Sequence, residues 1–440
     1  MKGRKHMTNF HPSYYLSPLT RRQLLGIPLA SALTGMAGNV LAGELKKAAV
    51  VTTVYYRWGS HSEWIVGRLL DGYFYYGKHC DPRVEVVSMY TDQVPENDMS
   101  REKSTKHGFT IYPTIRETLT LGGEDLAVDG VLLIGEHGNY HWNIKEQKLY
   151  PRWYFYKQII DVFRETGRTV PVFNDKHFSV EWNEAKWMYD QSREMGFPLM
   201  AGSSVPVEYR NPPLEFDLET PIEKAVLVYR GGKESHGFHA LDVLQCMVER
   251  RKGGETGIAS VQCLENMPVW KWTDANPWAG RLLNEALSRC SGRKPGNPRD
   301  IVKRPIIFLL NYNDGFQAAV YLLNGLDIGV SGFAAEVRGK SEPDSTEFWI
   351  CLRPGKQVGS SAFVHYIEEM IITGKPSYPV ERTLLATGAL AALMDSSYEN
   401  GQHSDEGRLI KTPHLNITYT AQKESLYNRG SRPPVTDEPW

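Results

Sequence analysis

The chain has 440 residues, 41% of them hydrophobic and 23% charged, with 50 Lys and Arg against 51 Asp and Glu, a formal net charge of -1. Such fractions exclude a disordered, collagen-like or coiled-coil chain, and so even a balance excludes a surface built to coat nucleic acid, which needs clustered positive charge. At roughly 100–200 residues per domain, the length predicts two domains.

Residues 1–42 read as an export signal. They hold five basic residues (Lys2, Arg4, Lys5, Arg21, Arg22) and no acid. The pair Arg21-Arg22 precedes a short apolar run over 24–37, and Val40-Leu41-Ala42 offers a small-residue cleavage pattern. This is the pattern of a twin-arginine signal, which predicts a periplasmic or secreted protein. Without the segment the balance is 45 positive against 51 negative charges, a mildly acidic surface with no further membrane span. Cys80, Cys246, Cys263, Cys290 and Cys351 are far apart and odd in number. They predict neither a disulfide scaffold nor a zinc ribbon, but small buried hydrophobes.

From residue 48 onward, short apolar runs alternate with helical patterns. Strands are expected at 48–54, 84–89, 110–112, 128–134, 170–173 and 198–201. Helices are expected at 63–76, 95–107, 115–119, 154–166 and 180–195. That alternation predicts a parallel sheet with right-handed crossovers and a ligand at the carboxyl ends of its strands. After residue 207 the texture changes, with Asn211-Pro212-Pro213 as a linker. Longer strands follow at 225–229, 257–263, 304–310, 317–323, 330–337 and 345–352, with few intervening helices, which predicts an open antiparallel sheet. Helices are expected at 240–251, 364–373 and 381–397. The resulting division is a signal (1–42), a parallel-sheet domain (43–206), an α+β domain (207–426) and an irregular tail (427–440).

Three places resemble the glucose–fructose oxidoreductase/inositol dehydrogenase/MocA family. In Asn174-Asp175-Lys176-His177, Lys176 falls on the family's lysine, while Asp175 and His177 replace a glutamate and a proline. Ser235-His236-Gly237-Phe238-His239 is similar to the family's Asp-x-Gly-x-His, with Ser235 in place of the aspartate and Glu234 one residue earlier. The helix–Gly374-Lys375-Pro376–helix ending is also alike. The resemblance implies a Rossmann-like domain joined to an open antiparallel α/β domain. It also implies oxidation or reduction of a sugar or polyol with NAD(P), Lys176 and His239 at the reacting hydroxyl, and a homo-oligomer formed through the antiparallel sheet.

One stretch departs from the family. Where G-x-G-x-x-G should follow the first strand, the chain reads Thr53-Val54-Tyr55-Tyr56-Arg57-Trp58-Gly59-Ser60-His61, with Gly59 alone remaining. A Cβ at such positions disfavours the tight turn that admits pyrophosphate. Two readings stay open. In one, an altered NAD(P) site uses Arg57, Gly59, His61, Asp92 and Glu136, and Lys176, His239, Asp175 and His177 do the chemistry. In the other, the dinucleotide is gone, and plain acid/base groups or a divalent metal (zinc, manganese or iron) act on a carbohydrate. His61, Glu136, His137, His177, Glu234 and His239 would then be the ligands, with no fixed spacing to support them. A third class is a catalytically silent sugar-binding subunit.

Other residues have plainer expectations. His141 and His236 are expected to cap or satisfy loops. The aromatic run 150–156 is expected to anchor against the sheet. Trp270, Trp272 and Trp278 sit in a loop-like stretch, a lid or subunit contact. Glu249-Arg250-Arg251-Lys252 is expected to be a solvated helix end, and residues 311–315 a hairpin turn.

Overall fold

Strand β1 (Lys46–Thr52) is buried from Ala48 onward on both faces. That is why its residues read as a continuous apolar run and not an alternation. The computed structural model describes residues 44–57, 59–326, 331–349, 359–399 and 401–429. The expected export signal, Trp58, Cys351 and the tail from residue 430 lie outside the described residues. From Leu45 onward the chain forms one unit.

The elements in chain order after β1 are α1 (His61–Asp71), β2 (Tyr73–Tyr75), β3 (Lys78–Cys80), β4 (Val84–Thr91), α2 (Ser100–His107), β5 (Thr110–Ile111), α3 (Ile115–Thr120), β6 (Gly130–Ile134), α4 (Arg152–Thr166), β7 (Val172–Asp175), α5 (Trp182–Met195) and β8 (Leu199–Gly202). Strands β5-β4-β1-β6-β7-β8 form a six-stranded, wholly parallel sheet. Alternate residues serve opposite faces, as strand geometry requires. Ala48, Val50, Leu132, Ile134 and Phe173 pack on one side with α1. Ala49, Val51, Leu133 and Val172 pack on the other with α4 and α5.

The second half contributes β9 (Tyr209–Asn211), β10 (Ile222–Tyr229), α6 (Ser235–Val248), β11 (Ile258–Glu265), α7 (Met267–Ala275), α8 (Pro277–Arg289), α9 (Pro298–Ile301), β12 (Ile306–Tyr312), β13 (Gln317–Leu322), β14 (Ser331–Val337), β15 (Asp344–Trp349), α10 (Ser361–Thr373), α11 (Glu381–Ser396), β16 (Tyr398–Glu399), β17 (Gln402–His403) and β18 (Ile410–Lys411). Its eight-stranded sheet runs β18-β11-β12-β13-β10-β14-β15-β9. Every neighbouring pair is antiparallel except β10 and β13. Helices α6 and α11 share the core on one face, and α7 and α8 share it on the other. The mixed α/β architecture is the expected one: a parallel sheet and a second, mostly antiparallel one.

Several local expectations are corrected. The tryptophan stretch is not a loop but helices α7 and α8. Pro268 and Pro277 sit in their first turns, where a missing N–H costs nothing. Trp270 is buried, and Trp272 packs edge-on to Trp278 against the same core. The first helix stops at Asp71, capped by Gly72 with φ +80°, and the hairpin β2–β3 follows. Helix α2 begins only at Ser100. Glu249, Arg250 and Arg251 are buried, not solvated. Arg250 donates to the carbonyls of Phe216, Gln422 and Lys423, Glu249 pairs with Arg382, and Arg251 pairs with Glu255.

Helix α10, late in the chain, returns to the parallel sheet and packs on the face that α1 covers. Gly130 permits this approach, since a Cβ there would lie 2.7 Å from Ile371 Cγ1. Cys246, Cys263 and Cys290 are free and buried, as expected, and Cys80 is free and half-buried. Among the described residues, no helix is long and apolar enough to cross a membrane.

Candidate active site

The carboxyl ends of β1, β6, β7 and β8 carry most of the residues singled out in the sequence. After β6 comes Gly135-Glu136-His137. The Glu136 carboxylate is buried and takes two cations. Its Oε1 accepts from Lys176 Nζ at 2.9 Å, and its Oε2 pairs with Arg152, the first residue of α4. Gly135 makes room for Arg152, because a Cβ there would lie 2.5 Å from Arg152 Cγ. Burial opposes ionisation of Glu136, but Lys176 and Arg152 outweigh it and hold its carboxyl well below the usual range.

The network continues beyond Arg152. His177 Nε2 lies 3.2 Å from Arg152 Nη1 and 2.9 Å from Glu234 Oε1. Burial, then the Arg152 charge, lowers the pKa of His177. Two cations (Lys176, Arg152) thus meet the Glu136 carboxylate out of water, and Glu234 meets His177. Buried charge persists only when paired in this way.

Lys176 follows β7 in the left-handed region, with φ +63°. A non-glycine residue is held there at a cost of order 1–3 kcal/mol only where its surroundings dictate it. Here its N–H donates to Gly202 O at 3.0 Å, and its Nζ donates to Ser235 O at 3.0 Å as well as to Glu136. Ser235 opens α6, and His239 stands one turn further along that helix. Lysine and histidine therefore converge on the same helical turn.

His239 is half-buried, and its Nδ1 lies 2.6 Å from Ser203 Oγ, just beyond β8. The Ser203 N–H donates to Asp242 Oδ2 at 2.8 Å. Burial pushes the Asp242 carboxyl up to about 6. Burial, then the charge of Lys176 and the neighbouring His61, holds the His239 pKa well below the usual imidazole value. These causes favour the neutral imidazole of His239.

His61, the first residue of α1, places Nδ1 2.6 Å from Asp175 Oδ2. Its ring lies 5.0 Å from that of His137 and 6.3 Å from that of His239. His137 also has positive φ, +70°, and burial followed by His61 brings its pKa down to about 4.

The structure thus gathers His61, Glu136, His137, Asp175, Lys176, His177, Glu234 and His239. It does not gather Arg57, Gly59 and Asp92 with them. Arg57 is exposed in the β1–α1 turn, and Gly59 occupies the same turn at φ +124°. Asp92 lies beyond β4, with its two oxygens accepting from Tyr90 at 2.8 Å and Tyr140 at 2.7 Å. Tyr55 is fully buried in the core, and Tyr56 is tied to Ser60. His141 and His236 are exposed.

The metal set requires correction. Among the described residues, no group of three or more His, Cys, Asp or Glu side chains is placed to hold a metal ion. Glu136 faces Lys176 and Arg152, His177 faces Glu234, and His61 faces Asp175, so the six donors do not point at one centre.

Arg152, Ser203 and Asp242 belong to the site and escaped the sequence reading. Arg152 lies inside the aromatic run, of which Trp153, Phe155 and Tyr156 pack against the sheet as expected while Tyr154 is exposed. Ser203 and Asp242 carry no local signal.

No protein-family model and no curated protein matches the chain. Solved structures do. GenD2 from gentamicin A biosynthesis, in complex with NAD, superposes with a TM-score of 0.53 at 12% identity, over 88% of this chain and 99% of its own. Myo-inositol dehydrogenase from Lactobacillus casei, in complex with NAD(H) and myo-inositol, gives 0.51 at 11% identity, over 86% and 98%. An oxidoreductase from Agrobacterium radiobacter, in complex with NAD+, L-tartaric acid and magnesium, gives 0.51 at 12% identity, over 84% and 100%. The chain shares the fold of these proteins, the architecture that its resemblance to the glucose–fructose oxidoreductase/inositol dehydrogenase/MocA family implied.

Proposed function

We propose that the chain is an oxidoreductase acting on a CH–OH group of a sugar or polyol, with an altered dinucleotide site. The observation that carries this is the convergence of Lys176 and His239 on the first turns of α6, at the strand ends of a fold seen in polyol dehydrogenases. Neutral His239 accepts the proton of the substrate hydroxyl. Ser203 on Nδ1 leaves Nε2 as the nitrogen that faces substrate. The Lys176 ammonium favours the developing negative charge on that oxygen, and Glu136 and the Ser235 carbonyl hold it in place.

The dinucleotide end is the altered part. A nicotinamide dinucleotide in the pose that a glycine-rich first turn permits does not fit this chain. Tyr55 and Tyr56 stand in that turn. Both oxygens of Asp92, the position for a ribose, already accept from tyrosines.

The test is titration of purified protein with NADH and NADPH, followed by nicotinamide fluorescence, with turnover of a polyol panel in the same samples. Saturable dinucleotide binding is expected in wild type and His239→Asn alike, with turnover lost in His239→Asn. Failure to bind either dinucleotide, with no oxidation of any polyol, would overturn the reading.

A second reading, redox-neutral acid–base chemistry on a carbohydrate, is favoured by the His61–Asp175 pair. It joins the end of β1 to the end of β7 over β6, the ground a dinucleotide would cross. Solvent deuterium entering a ketose without added dinucleotide would select it. We also propose export by the twin-arginine route on residues 1–42, and self-association, for which the second face of the eight-stranded sheet is not open because α7 and α8 cover it.

A further inference from the structure

A cavity of about 430 Å³ opens beside the cluster, lined by Trp142, Asn143, Glu146, Lys233, Glu234 and Ser235. Its size lies within the roughly 300–1,000 Å³ of small-molecule sites. Two of these residues also belong to the active site: Glu234 faces His177, and the Ser235 carbonyl accepts from Lys176. The cavity is therefore the next space along from the reacting groups.

Trp142 is 63% exposed, a large apolar surface left in water. Its loop is nonetheless built rigidly. Trp142 pairs with Lys148 as an antiparallel bridge. Asn143 Oδ1 accepts from the N–H groups of Lys145 and Gln147, and Asn143 Nδ2 donates to Gln147 Oε1. Lys145 pairs with Asp395 on α11. A preorganised aromatic plate loses little entropy when something stacks on it.

The other walls are polar. Lys233 is nine-tenths buried, and its Nζ donates to Glu265 at 2.8 Å and Ser397 Oγ at 3.1 Å. Its charge is thus already matched, while Glu146 and Glu234 add two carboxylates. The cation at the plate, Lys148 Nζ, lies 5.4 Å from the Trp142 ring centroid, and the carboxylates of Glu146 and Glu234 outnumber it. An aromatic plate ringed by hydrogen-bonding groups and carboxylates suits a neutral sugar ring: an apolar C–H face and a rim of hydroxyls.

We propose that this cavity is a second sugar subsite, so that the substrate is a neutral disaccharide, oligosaccharide or glycoside whose reacting unit lies at Lys176 and His239 and whose next unit stacks on Trp142. This rests on the sugar-acting reading above. Calorimetric titration of the full chain with glucose, myo-inositol, maltose, cellobiose, lactose and glucuronic acid tests it, using wild type, Trp142→Ala and Trp142→Phe. At least one disaccharide should bind tenfold or more tightly than glucose or myo-inositol. Trp142→Ala should abolish that margin, leave monosaccharide affinity within twofold, and keep an unchanged circular-dichroism melt. Trp142→Phe should retain most of the margin, and glucuronic acid should bind no better than glucose. Monosaccharide binding with no disaccharide margin, a margin that survives Trp142→Ala, or a preference for glucuronic acid overturns the subsite and leaves the sugar-acting reading standing. Binding of none of the six overturns both.

Discussion

His61 Nδ1 stands 2.6 Å from Asp175 Oδ2, so a side chain from the first turn of α1 is tied to the end of a strand two places away in the sheet. A carboxylate that orients an imidazole is a recurring element of acid–base sites. Asp175→Asn keeps the shape and removes the charge. Turnover on the sugar or polyol substrate is expected to fall by about 10²-fold or more, with the melting curve little changed. Equal kcat in wild type and Asp175→Asn would show the pair to be structural only.

Lys176 and Glu136 form a buried pair that shares Glu136 with Arg152. Removing one partner of such a pair leaves an uncompensated charge and costs about 3–5 kcal/mol. Lys176→Met is expected near the lower end of that range, because Arg152 still answers Glu136. The double variant Lys176→Met/Glu136→Gln should lose less than the sum of the two single variants. Additive losses in urea unfolding would refute the coupling.

Glu208 is fully buried, and its Oε1 accepts from the Ser360 N–H at 2.8 Å. Burial pushes its carboxyl up to about 8. Below about pH 4.5 the folded and unfolded chains both hold this proton, and its contribution to stability is complete. As pH rises towards 8 the unfolded chain releases the proton first, and that contribution is lost. Glu208→Gln should therefore melt higher than wild type at pH 8.5, by at least about 2 °C, and alike at pH 4.5. A constant offset at both values would contradict the assignment.

His137 acts on the acid side. Its value near 4 lies below that of an unfolded histidine, about 6.5. Its contribution is therefore present above pH 6.5 and drains away as pH falls towards 4. His239 and His177 share that direction. Replacing His137 with Asn should flatten the drop in Tm between pH 6.5 and 4.5. An unchanged slope would remove His137 from the linkage.

The loss of the glycine turn was legible, because three bulky aromatics where a tight turn needs bare backbone conflict on their face. So was the placement of Glu136, Lys176 and His177 just past strand ends; His239, expected just ahead of a helix at 240–251, lies instead one turn inside α6, which starts at Ser235. Helices α7 and α8 were not, because Pro268 and Pro277 look like breakers until they are seen to occupy first turns. The burial of Arg250 and Arg251 was equally hidden. A charged run reads as solvated unless the carbonyls and carboxylates that receive it are known, and those come from residues 216, 255, 422 and 423.

By itself the order of residues determined the alternation of strands and helices, the change of sheet type after residue 207 and the departure from a phosphate-binding turn. These are local properties, set by side-chain period and by whether a Cβ is present. Only the tertiary structure decided which charges meet. Arg152 joins Glu136, Ser203 joins His239, His61 turns to Asp175, and His177 and Glu234 face each other, because each contact is made between separate segments of the chain whose approach depends on how the sheet and its helices pack. The same packing carried α10 back onto the first sheet and set Trp142 in one cavity with Glu234 and Ser235.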